Sequence, residues 1–246
     1  MGVITDPRTL PSRYPRVREP ETPLLNTELL MKPLPPEKAH SVELIRGPNI
    51  ATLPNLEPLA DELELPVLLK LGDDISTDEI MPAGARVLPY RSNIPKISEF
   101  AFNIVDENYP KRAMQTSAST GHAIVAGRNY GQGSSREHAA LAPRYLGLRL
   151  VIAKQFARIH WQNLVNFGVL PLCFADPSDY EHIEQGDVLK FRNLREQLVA
   201  TRSIPGQNVS SGRRFTVCHD LSERQIHVLR VGGLITWVRN RLSMPD

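Results

Sequence analysis

Three short apolar runs constrain this chain more than any other feature: HAIVAG (His122–Gly127), LRLVIAK (Leu148–Lys154) and VLPLCFA (Val169–Ala175). Their apolar residues do not alternate with polar ones, so each suits a strand buried on both faces. Between them lie stretches of helical texture, Ser135 to about Leu141 and ARIHWQNLVNF (Ala157–Phe167), the latter closed by Gly168 as a C-terminal cap. Strands alternating with helices in this way predict an α/β fold with parallel pairing. VLLKLG (Val67–Gly72) is a further short strand ending in glycine. Past Asp187, DVLKF, RFTVCHD and QIHVLRV look like antiparallel strands and GGLITWVRNRL like a closing helix. The expectation is one α/β domain over residues 67–246, with a mixed, partly parallel sheet and flanking helices.

Upstream the texture differs, since twelve of the 21 prolines fall in residues 1–66. Proline removes a backbone donor and biases the preceding residue to extended geometry. Segments such as MKPLPPEK or GPNIATLPNLEPLADELELP are therefore not expected to sustain a helix or a central strand. Leu53, Leu56 and Leu59 keep apolar residues at short spacing, so residues 1–66 suit an extended Pro-rich arm or linker lying along a surface, its own or a neighbour's. A disordered linker is the alternative. The first residues lack the apolar stretch of a secretory signal, and Asp6 breaks the myristoylation pattern. No window of about 18 apolar residues predicts a transmembrane helix. The formal charge of +2 is too small to argue for nucleic acid. Cys173 and Cys218 each sit in an apolar run and are expected as buried, reduced thiols of a cytoplasmic protein. Two cysteines fall short of the three or four thiolates that an iron–sulfur cluster takes.

The run YGQGSSREHA (Tyr130–Ala139) is the richest in chemistry. Gly131 and Gly133 permit a tight turn and close approach to a ligand. Amides near Ser134, Ser135 and Arg136 would be unpaired donors at a helix N-terminus, a ready anion site, with Arg136 adding a fork for carboxylate or phosphate. A plain serine N-cap without a ligand is the alternative. The dinucleotide fingerprint needs a glycine where Arg136 stands, the P-loop needs a lysine, and the nucleophile elbow needs G-x-S-x-G. Dipole and guanidinium together would favour a serine alkoxide, allowing a serine to act as a base toward a carbon-bound proton.

DISTDEIMPAGARVLPYRSNIPKISEF (Asp74–Phe100), YGQGSSREHAALAPRYLG (Tyr130–Gly147) and AKQFARIHWQNLVNFGVLPLCFADPSDY (Ala153–Tyr180) together resemble the C-terminal swivel domain of the aconitase family, which includes isopropylmalate dehydratases and homoaconitases. The resemblance runs from about Val67 to the C-terminus, the Pro-rich arm resembling the linker of single-chain aconitases. It implies a swivelling β/β/α domain that closes over a four-iron, four-sulfur cluster and contributes a base. It implies Ser134 as that base and Asp78 as a catalytic residue. Arg91, Ser135, Arg136 and Thr77 would bind substrate. Glu79 stands where the family has a histidine, and Gln132 where a glutamate is expected between the glycines.

The cluster-bearing part of an aconitase is not in this sequence, so no metal ligand is assigned to this chain. The cluster is expected in a large subunit or in N-terminal domains, and the substrate is expected to be a tricarboxylate. Arg91, a second guanidinium beyond Arg136, favours citrate over the apolar isopropylmalate. The resulting expectation is the small subunit or C-terminal portion of a hydro-lyase of aconitate hydratase type. Alternatives are the small subunit of an isopropylmalate or homoaconitate dehydratase, or a non-catalytic, RNA-binding module. The charge and the lack of interleaved aromatic and basic residues do not favour the last.

Overall fold

The computed structural model describes residues 2–11, 16–22, 26–117 and 120–242. The chain divides into two compact units, residues 1–45 and 46–246. In the first, Asp6 caps a one-turn helix at Pro7–Thr9 by accepting from the Arg8 amide, and Pro35–Pro36 open the four-residue α1 (Pro36–Ala39). The described residues of this unit are exposed.

The second unit runs β1 (Leu63–Leu71), α2 (Thr77–Ile80), α3 (Ile94–Ser98), α4 (Tyr109–Ser117), β2 (His122–Ala126), α5 (His138–Tyr145), β3 (Leu148–Ala153), α6 (Arg158–Asn166), β4 (Leu170–Phe174), β5 (Val188–Phe191), α7 (Leu194–Ala200), β6 (Ser203–Asn208), β7 (Arg214–Cys218), α8 (Glu223–Arg230) and α9 (Leu234–Leu242). The seven strands close into a barrel in the order β1-β2-β3-β4-β7-β6-β5. β1 to β4 pair in parallel, whereas β5, β6 and β7 pair antiparallel with each other and with β1 and β4. This is the mixed, partly parallel α/β fold that the apolar runs predict.

One apolar cluster fills the barrel, with Leu65, Val67, Val125, Ile152, Leu172, Phe191, Ile204 and Val217. A second, with Leu71, Ile80, Phe102, Tyr109, Ala126, Tyr130 and Ala140, packs helices on the outer face of the parallel strands. β1 serves both, and its register shifts between Val67 and Leu69 where it passes from one to the other.

Two expectations are corrected here. β1 begins at Leu63 and pairs on both sides, although Pro66 lies within it. The Val67 amide donates to Asp187 on the β5 side, so alternation turns Pro66 toward β2, whose pairing with β1 starts only at Val67–Ala123. The donor that proline lacks has no partner to lose. QIHVLRV, expected as a strand, lies in helix α8 and the residue after it, because Ser222 and Gln225 form a reciprocal capping box ahead of Ile226 and Leu229, both buried at helical spacing. Residues 51–61 run along their own unit: Ala51 donates to the Ser92 carbonyl, Leu59 to that of Leu229, and the Arg144 and Arg195 guanidiniums bond the carbonyls of Glu57 and Leu59.

Candidate active site

The loops that leave the C-terminal ends of β1 and β2 are stitched together. The amides of Gly131 and Gln132 both donate to the Ile75 carbonyl, at 2.8 and 3.2 Å, and the Thr77 amide donates to the Gln132 carbonyl at 2.8 Å. Gln132 adds its side chain, Nε2 donating to the Asp74 carbonyl at 2.8 Å while Oε1 accepts from Asn129. An amide suits this position because it must donate to a carbonyl, which a carboxylate cannot do. Thus the STDE stretch and the YGQGSS run, which begin 54 positions apart in sequence, form one surface.

Gly131 has φ +81°, and a Cβ there would lie 2.2 Å from the His160 ring. His160 is buried beneath the loop, edge-on to Tyr130, with both ring nitrogens unpartnered. Burial pushes its pKa down to about 4, so the ring is neutral and acts here as a shaped floor. Three residues on, Asn163 donates its side-chain amide to the Ser135 carbonyl at 3.3 Å. Helix α6 is therefore the platform under the glycine–serine run.

The short helix α2 exists because of its cap. The Glu79 carboxylate accepts from the amide and hydroxyl of Ser76, at 2.8 Å each, and the Glu79 amide donates back to Ser76 Oγ at 3.2 Å. Glu79, in the place of the family histidine, thus closes a capping box. Thr77 is buried with Oγ1 unpartnered, 3.4 Å from where a Cβ of Gly133 would stand. Asp78 points outward and pairs with Arg136, Oδ1 to Nη2 at 2.7 Å. Arg136 Nη1 donates to the Met81 carbonyl at 3.0 Å. The guanidinium holds the Asp78 carboxyl below its ordinary range.

The structure moves the start of the following helix. α5 begins at His138, with Glu137 as an N-cap that makes no side-chain bond, and not near Ser135. Ser134 and Ser135 lie in a non-helical segment ahead of it, both exposed, so neither is the serine N-cap. The dipole of a helix is felt within its first turn, and Ser134 stands outside it. The structure thus places Ser134 ahead of the first turn of α5, with Arg136 paired to Asp78. Arg91 follows a one-turn helix at Leu88–Tyr90 and is exposed, edging a shallow depression with Asn49, Ala85 and Leu88. Its carbonyl accepts from His138 Nε2 at 2.7 Å, which fixes that nitrogen as the protonated one. His138 ties the Arg91 loop to the entry of α5.

The arrangement groups Thr77, Asp78, Ser134, Ser135 and Arg136 on the interlocked loops and tethers Arg91 beside them. Gln132, His138 and Asn163 position these loops; their partners lie across the fold, so spacing alone did not single them out. Among the described residues, no group of three or more His, Cys, Asp or Glu could hold a metal ion. Cys173 and Cys218 sit on the barrel wall as directly opposed residues of β4 and β7, both free and half-buried. Two thiols do not meet the needs of a four-iron cluster. Among the described residues, no helix is long and apolar enough to cross a membrane.

Known proteins carry the same pattern. Residues 98–177 match the family described as the aconitase C-terminal domain. The homocitrate dehydratase of Saccharomyces cerevisiae is 35% identical over 83% of this chain, but the chain spans only 30% of that protein. The methanogen homoaconitase small subunit of Methanocaldococcus jannaschii is 33% identical, the match covering 70% of this chain and 89% of that subunit. A crystal structure of 3-isopropylmalate dehydratase from the same organism superposes with a TM-score of 0.59 at 27% identity, over 74% of this chain and 95% of the other. Sequence, barrel topology and near-complete coverage of a small subunit agree: the chain belongs to the aconitase family, as a small subunit or swivel domain.

Proposed function

We propose that this chain is the small, swivelling part of a hydro-lyase that dehydrates and rehydrates a tricarboxylic hydroxy acid of the citrate type. The observation that carries the reading is that Arg136 and the exposed Ser134 share one loop, and that the backbone of the exposed Arg91 is bonded through its carbonyl to His138 at the end of that loop. Arg91 makes no ion pair among the described residues and is free to take a carboxylate. Arg136 takes a second when the substrate competes with Asp78. Ser134 removes the proton from the carbon next to a carboxylate and returns it on rehydration. Ser135 binds the substrate, while the buried Thr77 holds the loop through the hydrogen bond of its amide to Gln132.

This chain's residues do not fit an iron–sulfur cluster, so the cluster and the handling of the departing hydroxyl belong to a partner chain or to further domains. The match to a homocitrate dehydratase supports a substrate with three carboxylates. The matches to a homoaconitase small subunit and to an isopropylmalate dehydratase keep longer and more apolar acids as the second reading.

Co-expression with a cluster-bearing large subunit, followed by assay of citrate, homocitrate and isopropylmalate, tests the proposal. Citrate turnover that requires both chains and falls with Ser134→Ala supports it. Turnover of isopropylmalate alone would overturn the substrate, and a Ser134→Ala complex as active as the original would overturn the base.

A further inference from the structure

Cys173 and Cys218, 45 positions apart in sequence, are register partners across β4 and β7. The Ala175 amide donates to the Thr216 carbonyl at 3.0 Å, and ladder alternation makes Cys173 and Cys218, two residues along on each strand, a hydrogen-bonded pair as well. Such pairs have Cα atoms about 5.5 Å apart, inside the roughly 4.4–6.8 Å range of disulfides. Directly opposed residues point to the same face of a sheet. Leu172, Phe174 and Val217 fill the barrel, so both thiols face outward. Cys218 is paired on its other side with the exposed Ser203 of β6, which leaves the row open to water. Neither cysteine belongs to the candidate active site.

The location gives the pair leverage. β4–β7 is one of the two seams joining the parallel and antiparallel halves, and it has only two ladder pairs against four at β1–β5. Cβ atoms of opposed residues stand about 4.5–5.5 Å apart, against about 3.8 Å in a disulfide, so bridging draws the strands together by about 1 Å. A bond made against that displacement is more easily reduced than an unstrained one.

We propose that Cys173 and Cys218 form a redox-active dithiol, a modification site that a low-molecular-weight disulfide converts into an intrachain disulfide across the β4–β7 seam. Burial, and then the neighbouring Cys218, push the Cys173 thiol up to about 11, and Cys218, paired with the exposed Ser203, is the thiol assigned the first attack. The Cys218 thiolate displaces one thiolate from the small disulfide and forms a mixed disulfide. Cys173 then loses its proton, attacks Cys218 Sγ and releases the second small thiol. The protein gives up two electrons and two protons, and the small disulfide takes them up as two thiols.

Incubation of the full chain with oxidised glutathione, then alkylation and intact-mass measurement, tests this. The expected product is a monomer lighter by two hydrogens that takes up no alkylating agent, and dithiothreitol restores two alkylatable thiols. Cys173→Ser is expected to stop at a stable glutathione adduct on Cys218. The bridged form is expected to melt higher, on the order of 5 °C. A wild-type chain that keeps its glutathione adduct, remains fully alkylatable or forms only disulfide-linked dimers would overturn the dithiol. An unchanged melting temperature would overturn the role of the seam.

Discussion

Asp78 and Arg136 form an ion pair within the candidate site, Oδ1 to Nη2 at 2.7 Å, joining helix α2 to the glycine–serine loop. The aspartate side chain is 64% exposed and the arginine 24%, so the pair is solvated on one side and screened by salt. Its contribution to stability is of the surface kind, about 0–1 kcal/mol. Because the guanidinium lowers the folded pKa of Asp78 below its ordinary 3.8, that contribution is present above the ordinary value. It is lost as pH falls through the lowered one. Asp78→Ala should therefore change the urea midpoint little at pH 7, and that small effect should shrink as the pH falls below 3.8. Turnover of the assembled enzyme should fall at least tenfold, because Arg136 is no longer held in place before the substrate arrives. A loss of stability matching the loss of turnover would assign Asp78 to folding alone.

Ser134 and Arg91 should separate in kinetics. Ser134→Ala removes a proton acceptor and is expected to lower kcat by roughly 10²–10⁴ with little change in KM. Arg91→Lys keeps the charge but loses the planar fork, so KM should rise more than kcat falls. Steady-state assays of each variant with the same large subunit make the comparison; equal effects on both constants in both variants would contradict the assigned roles.

Gly131→Ala meets two obstacles at once, a φ of +81° and the His160 ring 2.2 Å from the new Cβ. A cost of about 2–4 kcal/mol is expected, seen as a fall in urea midpoint. The double variant with His160→Ala should recover the part due to contact and leave the backbone strain. Additive effects in the cycle would show that ring and loop are not coupled.

His160 and His122 carry an acid sensitivity. Burial lowers their folded pKa values to about 4 and about 3, below the ordinary 6.5, with Arg149 and Arg112 adding to the shift at His122. Between 6.5 and those values the unfolded chain holds protons that the folded chain refuses, so stability falls as pH drops through this window. For His160 the full loss is on the order of 3 kcal/mol. His160→Phe should be less acid-sensitive between pH 7 and 4.5 in urea unfolding. An unchanged slope would mean that the ring is protonated in the folded state.

What could be read before the structure divides along physical lines. The strands β2, β3 and β4 were legible because burial on both faces makes a run continuously apolar, and Gly168, at φ +74°, ends α6 where a cap was expected. α8 was misread because Ile226 and Val228 alternate with polar residues, while the local signal, Ser222 and Gln225 in a capping box, lay just outside the run. The entry of α5 was misplaced because a Ser-Ser-Arg-Glu stretch looks like a cap, yet Ser135 is held by Asn163 from another helix. The motifs located the candidate residues, since STDE and YGQGSSRE carry family spacing. Their interlocking through Gln132, and the pairing of Asp78 with Arg136, are long-range contacts that no local pattern encodes.

The division of the barrel into a parallel and an antiparallel half sets where this protein can be handled. Every candidate residue is carried on loops and helices of the parallel half, and none on β5, β6 or β7. The exposed turn at residues 209–212 between β6 and β7 is held by the Asn208 side chain, which accepts from the Ser210 and Ser211 amides. A fluorophore or short epitope grafted at Gly212, beyond those anchoring bonds, would ride on the barrel without touching the face that meets substrate. From there it could report, by distance to a second dye, whether the domain makes the swing that the proposed function entails.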